Sequence, residues 1–291
     1  MNLAACVIFY HPVQNEVIKN INSYINEVEK IYIIDNTPEP DVALVKTFNS
    51  YQKTEYIANN NNLGIAKALN QACEKAILDG FEWIITFDQD SCCLEDTIST
   101  LVELAKENQS IGSISPVYIK NKENRLDQIA DWQFLKNQIE VQSAITSCSL
   151  TNLRAFKKVG GFEDSFFIDL VDTDFSFKLR ENNFKVLITN KTAFIHSLGE
   201  SSYFTLWNNK KIWYTNHSPI RRYYITRNRF YFIKKYKENH LTFCRNELKN
   251  ILKEAIKIVL FEDQKFAKAK AIFYGFSDFY KGVSGKSSRE F

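Results

Sequence analysis

In the segment Trp83-Ile84-Ile85-Thr86-Phe87-Asp88-Gln89-Asp90, an apolar run leads directly into two carboxylates. Its first five residues have the composition of a strand that is buried on both faces, as in a parallel sheet. Ligands of such sheets bind beyond the carboxyl ends of the strands. The segment therefore predicts a binding site that begins at Asp88.

Three further strands are predicted before this segment, at Leu3–Tyr10, Ile31–Ile34 and Glu55–Ala58, and helical segments separate them. This alternation is typical of an α/β protein with a doubly wound, mostly parallel sheet. Asp35 and Asn62 each follow one of these strands, as Asp88 does. Because the strands run parallel, three polar loops are expected to meet at one edge of the sheet.

The rest of the chain is less regular up to residue 218 and helical after it. Predicted strands lie at Ile111–Val117, Val141–Leu150, Lys185–Ile188 and Ala193–Ile195, and a polar loop is predicted for residues 120–139. Basic helical segments follow near Ile220–Lys237, Phe243–Phe261 and Lys265–Tyr280. We expect a catalytic domain over residues 1–204 and a C-terminal helical region over residues 205–291.

Charge is unevenly distributed between these two parts. Residues 205–291 carry 19 Lys and Arg against 7 Asp and Glu, a net of +12, whereas residues 1–204 carry a net of −9. A basic region on an acidic body indicates an anionic partner, either a membrane surface or a nucleic acid. Solvated lysine faces and a homodimer interface are the two alternatives.

The cellular location is predicted from what the sequence lacks. The six cysteines form no CxxC pair and no repeated spacing, so a disulfide framework or zinc site is not expected. No apolar run approaches the roughly 20 residues of a membrane span, and the N-terminus has no basic region typical of a signal peptide. We expect a cytoplasmic protein, peripheral on the inner face of the cell membrane.

Asp88 and Asp90 are the first candidate for chemistry. Two carboxylates two residues apart can bind one cation from both sides, and hard oxygen ligands suit Mn²⁺ or Mg²⁺. Such a cation stabilises the charge of a departing diphosphate. The alternative is an ordinary solvated acidic pair on a loop, but the position after a strand favours a site.

Three other groups of side chains could contribute. Asp169, Asp172 and Asp174 precede or open a predicted helix, where a carboxylate could act as a general base or simply cap the helix. His196 could complete a Mn²⁺ site or be a structural, hydrogen-bonded residue. Arg222 shares a helix face with Arg229 and could bind diphosphate or lipid phosphate, or be solvated.

In order along the chain, several motifs together resemble the family 2 glycosyltransferases of the GT-A fold, and in particular their bacterial rhamnosyltransferase branch. They are Phe9-Tyr10-His11-Pro12, Ile34-Asp35-Asn36, Asn62-Leu63-Gly64, Phe87-Asp88-Gln89-Asp90-Ser91, Gly160-Gly161-Phe162, Phe166–Asp174, His196-Ser197, Ser218–Tyr224 and Arg227-Asn228. The resemblance extends from Val7 to about Gly285.

The resemblance implies an inverting transferase that moves a sugar, with dTDP-L-rhamnose as the first expectation, to a glycan or lipid-diphosphate-linked acceptor in surface polysaccharide synthesis. It implies that Asp172 is the general base and that Asp90 and His196 bind the metal. It also implies a set of donor-binding residues: Tyr10, Asp35, Asn62, Gly64, Asp88, Gln89 and Arg222. Many relatives carry Glu where this chain has Val171, so Asp169 or Asp174 could supply the neighbouring acid.

Other functions remain as alternatives. A GT-A enzyme with a UDP-sugar donor is the nearest. A sugar-nucleotide pyrophosphorylase would need a glycine-rich loop after the first strand, and Tyr10-His11-Pro12-Val13 contains no glycine. A nucleic-acid-binding protein could use the basic C-terminal region, but it leaves the three converging polar loops unexplained.

Overall fold

The computed structural model describes residues 2–119, 137–196, 201–205 and 211–291. Contacts divide the chain into two compact units. The sheet unit comprises Met1–Asp164 and Val171–Ser197, and the helical unit comprises Ser165–Leu170 and Leu198–Phe291.

The sheet unit contains nine strands and six α-helices among its described residues. The strands are β1 (Leu3–Phe9), β2 (Lys30–Asp35), β3 (Thr54–Ala58), β4 (Trp83–Asp88), β5 (Cys92–Cys93), β6 (Ile111–Ile119), β7 (Gln138–Glu140), β8 (Ser149–Asn152) and β9 (Lys185–Ile195). The helices are α1 (Gln14–Asn22), α2 (Val42–Asn49), α3 (Ile65–Leu78), α4 (Thr97–Lys106), α5 (Leu153–Val159) and α6 (Val171–Glu181).

These strands form one sheet in the order β3-β2-β1-β4-β8-β6-β9-β5, and β7 also pairs with β9. Strands β1 to β4 are parallel to one another, as predicted, whereas β8 is antiparallel to both β4 and β6. The apolar run of β1 is buried along its whole length because helices cover both faces of a parallel sheet. The strand order reverses between β1 and β4, which is where open α/β sheets bind ligands.

The register of the parallel strands brings their carboxyl ends into line. Phe9 of β1 pairs with Asp35 of β2, and Ile8 pairs with Asp88 of β4. Asp35 pairs in turn with Ala58 of β3. The polar residues that follow these strands therefore share one edge of the sheet, as the sequence predicts.

The prediction of one long strand at Val141–Leu150 is wrong, because only Ser149 and Leu150 of that segment lie in β8. Side chains bond the backbone of two of the preceding residues: Thr86 Oγ1 donates to the Thr146 carbonyl, and Ala144 N donates to Ser176 Oγ. Cys148 adopts a left-handed backbone, with φ of 52°, which ends this irregular segment.

The two short strands predicted at Lys185–Ile188 and Ala193–Ile195 are one strand, β9. Its pairing with β6 shifts register between Pro116 and Val117, so the polar residues between the two apolar segments are accommodated in a bulge. Most of the loop predicted at residues 120–139 lies outside the described residues, and its last two residues open β7.

The helical unit contains an antiparallel hairpin of β10 (Ser201–Thr205) and β11 (Lys211–Thr215), followed by α7 (Pro219–Tyr236), α8 (Leu241–Phe261) and α9 (Lys265–Tyr280). The three helices are confirmed, but the hairpin was not predicted. Helices α7 and α9 pack closely at Gly275, where a Cβ would lie 2.8 Å from the Tyr223 carbonyl oxygen. Glycine is therefore required at this crossing.

Candidate active site

Asp88, Asp90 and His196 form a cluster just beyond the carboxyl end of β4. The His196 Nε2 atom lies 3.8 Å from Asp88 Oδ2, and its Nδ1 atom lies 3.4 Å from Asp90 Oδ1. One potential ligand atom from each residue lies within 4.8 Å of those of the other two. Two carboxylates and an imidazole are a donor set that fits Mn²⁺, and the carboxylates also suit Mg²⁺.

Two buried serines hold this cluster in place. Ser91 Oγ lies 3.0 Å from His196 Nδ1 and 2.5 Å from Ser147 Oγ. Ser147 Oγ in turn accepts a hydrogen bond of 3.2 Å from the backbone N–H of Asp88. These contacts connect the imidazole to the backbone of the acidic loop, which is the loop after β4 that carries Asp88 and Asp90. Hydrogen bonds of this kind orient metal ligands.

The electrostatics of the cluster favour a cation. Burial lowers the pKa of His196, but the hydrogen bond with Asp90 and the charges of Asp88 and Asp90 together hold it above its ordinary value. The two carboxylates themselves are partly exposed, with side-chain exposures of 40% and 41%. A divalent cation could therefore reach both carboxylates from solvent and balance their charge.

Asp35 is a buried carboxylate at the end of β2. Its Oδ1 accepts a 2.7 Å hydrogen bond from the backbone N–H of Thr37, and its Oδ2 accepts one from the hydroxyl of Tyr56 on β3. Burial, and then the bond to Asp35, raises the pKa of Tyr56, so this hydroxyl stays a donor. The carboxylate of Asp35 is thus fixed in position at the edge where β1, β2 and β3 end.

Amide side chains connect the neighbouring loops beside Asp35. Asn36 donates a 3.1 Å hydrogen bond to the Gly64 carbonyl and accepts one of 2.9 Å from Asn59. Asn62 Oδ1 accepts a 3.0 Å hydrogen bond from Gly64 N, and Gly64 has a φ of 88° as the residue before α3. The positive φ of this turn favours a glycine, and the turn lies beside the loop that carries Asp35 and Asn36.

Tyr10 and Gln89 join the loops after β1 and β4, where the strand order reverses. The Gln89 side chain accepts a 2.9 Å hydrogen bond from Tyr10 N and donates one of 3.3 Å to the Tyr10 carbonyl. Asn20 of α1 also donates a 2.8 Å bond to the Gln89 carbonyl. Gln89 thus fixes the loop between the two carboxylates of the cluster.

Asp172 lies in the first turn of α6, and Asp174 lies buried in the same turn. Asp172 Oδ1 accepts a 2.8 Å hydrogen bond from Thr173 N, and Thr173 contacts Ser143 through their hydroxyls at 3.2 Å. Asp174 pairs with Lys178 at 3.5 Å. Of the two carboxylates, the half-buried Asp172 is the one that solvent reaches.

Segment 143–147 connects α6 with the acidic cluster. Ser143 contacts the start of α6, and Ser147 contacts the backbone of Asp88. The four Cα-to-Cα steps from residue 143 to residue 147 span at most about 14 Å when the chain is fully extended. The start of α6 and the loop after β4 are therefore anchored to opposite ends of one short segment.

Two predicted site residues belong to the helical unit. Asp169 has a left-handed backbone and accepts hydrogen bonds of 3.2 and 3.3 Å from Arg221; burial raises its pKa while Arg221 opposes that shift. Arg222 is buried and pairs with Glu262 at 2.5 Å and with Glu254 at 3.0 Å. Its guanidinium group is thus held by acidic residues of its own unit.

Sequence reasoning missed Tyr56 and Ser147 as parts of the site. Tyr56 lies within a strand and Ser147 within the segment mispredicted as a strand, so neither residue directly follows a predicted strand, which is where polar residues indicate a site. Ser91 directly follows Asp90, so its position near the site could be predicted, but its partners Ser147 and His196 are distant in sequence.

Solved structures share the fold of this chain. The chain is similar to the crystal structure of S. aureus TarS 1-349 in complex with UDP-GlcNAc, with a TM-score of 0.64 and 13% identity, over 97% of this chain and 82% of that one. It is also similar to the mannosyltransferase PcManGT from Pyrobaculum calidifontis in complex with GDP-Man and Mn²⁺, with a TM-score of 0.60 and 11% identity, over 97% and 81% of the two chains. The GT-A fold predicted from the sequence is confirmed.

A third structure matches over less of its length. GalNAc-T7 with UDP, GalNAc and Mn²⁺ has a TM-score of 0.57 and 12% identity over 67% of this chain, and the chain spans 43% of GalNAc-T7. At these identities the three structures establish the fold alone.

Sequence comparisons identify the family. The family model "Glycosyl transferase family 2" matches residues 5–160, more than half of the chain, and the chain belongs to this family. It is also 28% identical over 255 residues to the dTDP-rhamnosyl transferase RfbF of Shigella flexneri, covering 82% of this chain and 81% of that protein. The predicted glycosyltransferase is confirmed, and the nucleic-acid-binding alternative is not favoured.

Among the described residues, no helix combines the length and the hydropathy needed to cross a membrane.

Proposed function

We propose that this protein is a metal-dependent, inverting rhamnosyltransferase that uses dTDP-L-rhamnose as donor. The observation that carries the proposal is the cluster of Asp88, Asp90 and His196 at the carboxyl end of β4, in a chain that belongs to glycosyl transferase family 2. The likeness to the dTDP-rhamnosyl transferase RfbF supports rhamnose as the sugar.

Asp90 and His196 would bind the cation, with Asp88 at its side towards the nucleotide. The donor set fits Mn²⁺ or Mg²⁺, and two of the structural neighbours are complexes with Mn²⁺. When bound, such a cation neutralises the charge that develops on a departing diphosphate. Ser91 and Ser147 hold the imidazole and the acidic loop in position for this role.

The nucleoside would bind over the ends of β1 and β2. The buried carboxylate of Asp35, which binds Thr37 and Tyr56, would hold in position the loop against which the base lies, and the turn at Asn62 and Gly64 bounds the pocket. Tyr10, joined to Gln89, lies where the strand order reverses. Arg222 contributes through its buried ion pairs, which hold α7 in place.

Asp172 would act as the general base. Its carboxylate takes the proton from an acceptor hydroxyl, whose oxygen attacks the anomeric carbon on the face opposite the diphosphate. The bond to the diphosphate breaks as the new glycosidic bond forms, so a single displacement inverts the anomeric centre. Segment 143–147, which is anchored at Thr173 and at Asp88, supports this role because it limits how far the base can lie from the acidic cluster.

Asp169 and Asp174 have supporting roles in this proposal. Asp174 binds Lys178, which also donates a 3.1 Å hydrogen bond to the Gly161 carbonyl. Asp169 binds Arg221 within the helical unit. Val171 is buried, so the position where many relatives carry Glu is an apolar packing position in this chain.

The acceptor would be a glycan or a lipid-diphosphate-linked sugar of bacterial surface polysaccharide, met at the inner face of the cell membrane. The net charge of +12 on residues 205–291 supports a location at an anionic membrane surface. A homodimer is the alternative use of the same region.

A donor screen by isothermal titration calorimetry tests the proposal. The full chain is titrated with dTDP-rhamnose, UDP-glucose and GDP-mannose, with Mn²⁺, with Mg²⁺ and with neither. We expect dTDP-rhamnose to bind in a metal-dependent manner and more tightly than the others. Preference for UDP-glucose would support the UDP-sugar alternative, and binding of none of the three would refute the proposed function.

A further inference from the structure

Helix α8 exposes an apolar stripe along its whole length. Six large apolar side chains on this helix of 21 residues are between 43% and 67% exposed: Leu241, Leu248, Leu252, Ile256, Val259 and Leu260. Their spacings of three, four and seven residues place the first five on one face of the helix. A soluble helix rarely presents such a continuous apolar face to water.

Four cations lie beside this stripe. Arg245, Lys249, Lys253 and Lys257 follow one another at intervals of four residues, so they form one row along the helix. The row is adjacent to the apolar stripe, because Leu248, Leu252 and Ile256 each lie three residues after one of these cations, a spacing that makes side chains neighbours on a helix. The outer side of α8 thus has an apolar half and a cationic half.

The two acidic residues of α8 face the other way. Glu247 binds Arg229 of α7 at 2.8 Å, and Glu254 binds Arg229 and Arg222 of α7, each at 3.0 Å. These carboxylates neutralise the arginines of the neighbouring helix and leave the row of cations on the outer side without a carboxylate from α8. The acidic residues of α8 therefore lie on its packed side, and its basic residues lie on its outer side.

A second exposed stripe lies on α9. Phe266, Phe273, Phe276 and Tyr280 recur at spacings of seven, three and four residues, and the most exposed, Phe266, is 95% exposed. Lys270 lies on the same face. Aromatic side chains of this kind are favoured at the boundary between lipid and water.

We propose that the outer side of α8 is a docking surface for a bilayer that contains anionic lipid; this contact does not require the aromatic stripe of α9. The inference rests on the proposed placement of the enzyme at a membrane and identifies the surface that makes the contact. The helix would lie in the plane of the interface, with its apolar stripe about 5–10 Å below the headgroups and its cations among the lipid phosphates.

Charge complementarity favours lipid over a second copy of the chain. In a two-fold dimer the same patch lies on both subunits, so two cationic rows would enter one interface with no carboxylate of α8 between them. A nucleic acid would match the cations but would leave the leucine and isoleucine stripe in water. A bilayer with anionic headgroups satisfies both halves of the surface.

Vesicle flotation with the full chain tests the proposal. We expect binding to vesicles of equimolar phosphatidylcholine and phosphatidylglycerol, weaker binding at high salt, and little binding to vesicles of phosphatidylcholine alone. Each cation near the surface is worth about 1 kcal/mol, so the double substitution Lys249→Gln with Lys253→Gln should lower the partition coefficient about 30-fold. Leu252→Gln should lower it about tenfold.

Matched controls in the sheet unit distinguish the contribution of this surface to vesicle binding from that of the net charge of the protein. Lys106→Gln with Lys158→Gln removes the same charge from exposed positions, and Leu78→Gln changes a leucine that is 82% exposed on α3. Both should bind vesicles like the wild type. Equal losses in controls and α8 variants, or equal binding to neutral and anionic vesicles, would overturn the proposal.

Three further measurements complete the test. A dimer in sedimentation velocity that dissociates with Leu252→Gln, or binding to single-stranded RNA without binding to vesicles, would also overturn it. Titration of dTDP-rhamnose with the same samples distinguishes this proposal from the proposed function. Variants that lose vesicle binding but retain donor binding support both, whereas vesicle binding without donor binding would refute only the proposed function.

Discussion

Ser147→Ala should weaken metal binding although Ser147 is not itself a ligand. Its buried hydroxyl accepts a 3.2 Å hydrogen bond from Asp88 N and lies 2.5 Å from Ser91 Oγ, which lies 3.0 Å from His196 Nδ1. The substitution removes both contacts of the hydroxyl. The acidic loop and the imidazole then lose their common anchor.

The expected losses of metal affinity and of unfolding free energy follow from these contacts. Loss of a residue that orients metal ligands typically lowers metal affinity 10- to 100-fold. Loss of a buried hydrogen-bond partner costs about 1–3 kcal/mol of unfolding free energy. For a chain of this size, each kcal/mol lowers the melting temperature by about 2–4 °C.

Calorimetric titration of Mn²⁺ in the presence of dTDP measures the affinity, and scanning fluorimetry measures the melting temperature. Ser99→Ala is the matched control, because the Ser99 hydroxyl bonds the Asp96 carbonyl at the exposed start of α4, at 3.1 Å. An unchanged Mn²⁺ affinity in Ser147→Ala, with the control also unchanged, would refute the role of the serine pair.

Three more substitutions test separate parts of the account. Asp172→Asn should leave dTDP-rhamnose binding nearly intact and abolish transfer in a turnover assay; wild-type turnover would exclude this base. Hydrogen bonds from Lys30 and Tyr32 hold the pKa of Asp79 below its ordinary value, so its carboxylate stabilises the fold above about pH 4 and loses that effect as the pH falls. Asp79→Asn should therefore lower the melting temperature at neutral pH, with a gap that closes in acid; a constant gap would contradict this. Glu262→Leu leaves two buried cations without their shared carboxylate and should cost about 3–5 kcal/mol in urea unfolding; a loss below about 1 kcal/mol would contradict the buried network.

The parallel strands could be predicted from sequence because burial on both faces requires continuous apolar runs. Residues 83–87 are such a run, and the polar residues that follow it lie at the sheet edge as expected. The limits of α9 could also be predicted, since its apolar and basic residues alternate at helical spacing up to Tyr280. At these positions the local composition is sufficient to predict the type and limits of the element.

Other features depend on contacts between distant residues. The segment before Ser149 contains residues typical of a strand, but hydrogen bonds with Thr86 and Ser176 hold it in an irregular path. The hairpin of β10 and β11 was missed because the spacing of its aromatic residues favours no single element. The pairing of Ser147 with Ser91 joins residues 56 positions apart, which no local pattern can show.

The proposed mechanism requires Asp90 to hold a divalent cation against the diphosphate of the donor. Titration of dTDP into the wild type and into Asp90→Ala, each with and without Mn²⁺, tests this requirement. We expect Mn²⁺ to strengthen dTDP binding about tenfold or more in the wild type and to have no effect in Asp90→Ala. Binding of dTDP that is independent of Mn²⁺ in the wild type, or equally strengthened in both proteins, would contradict it.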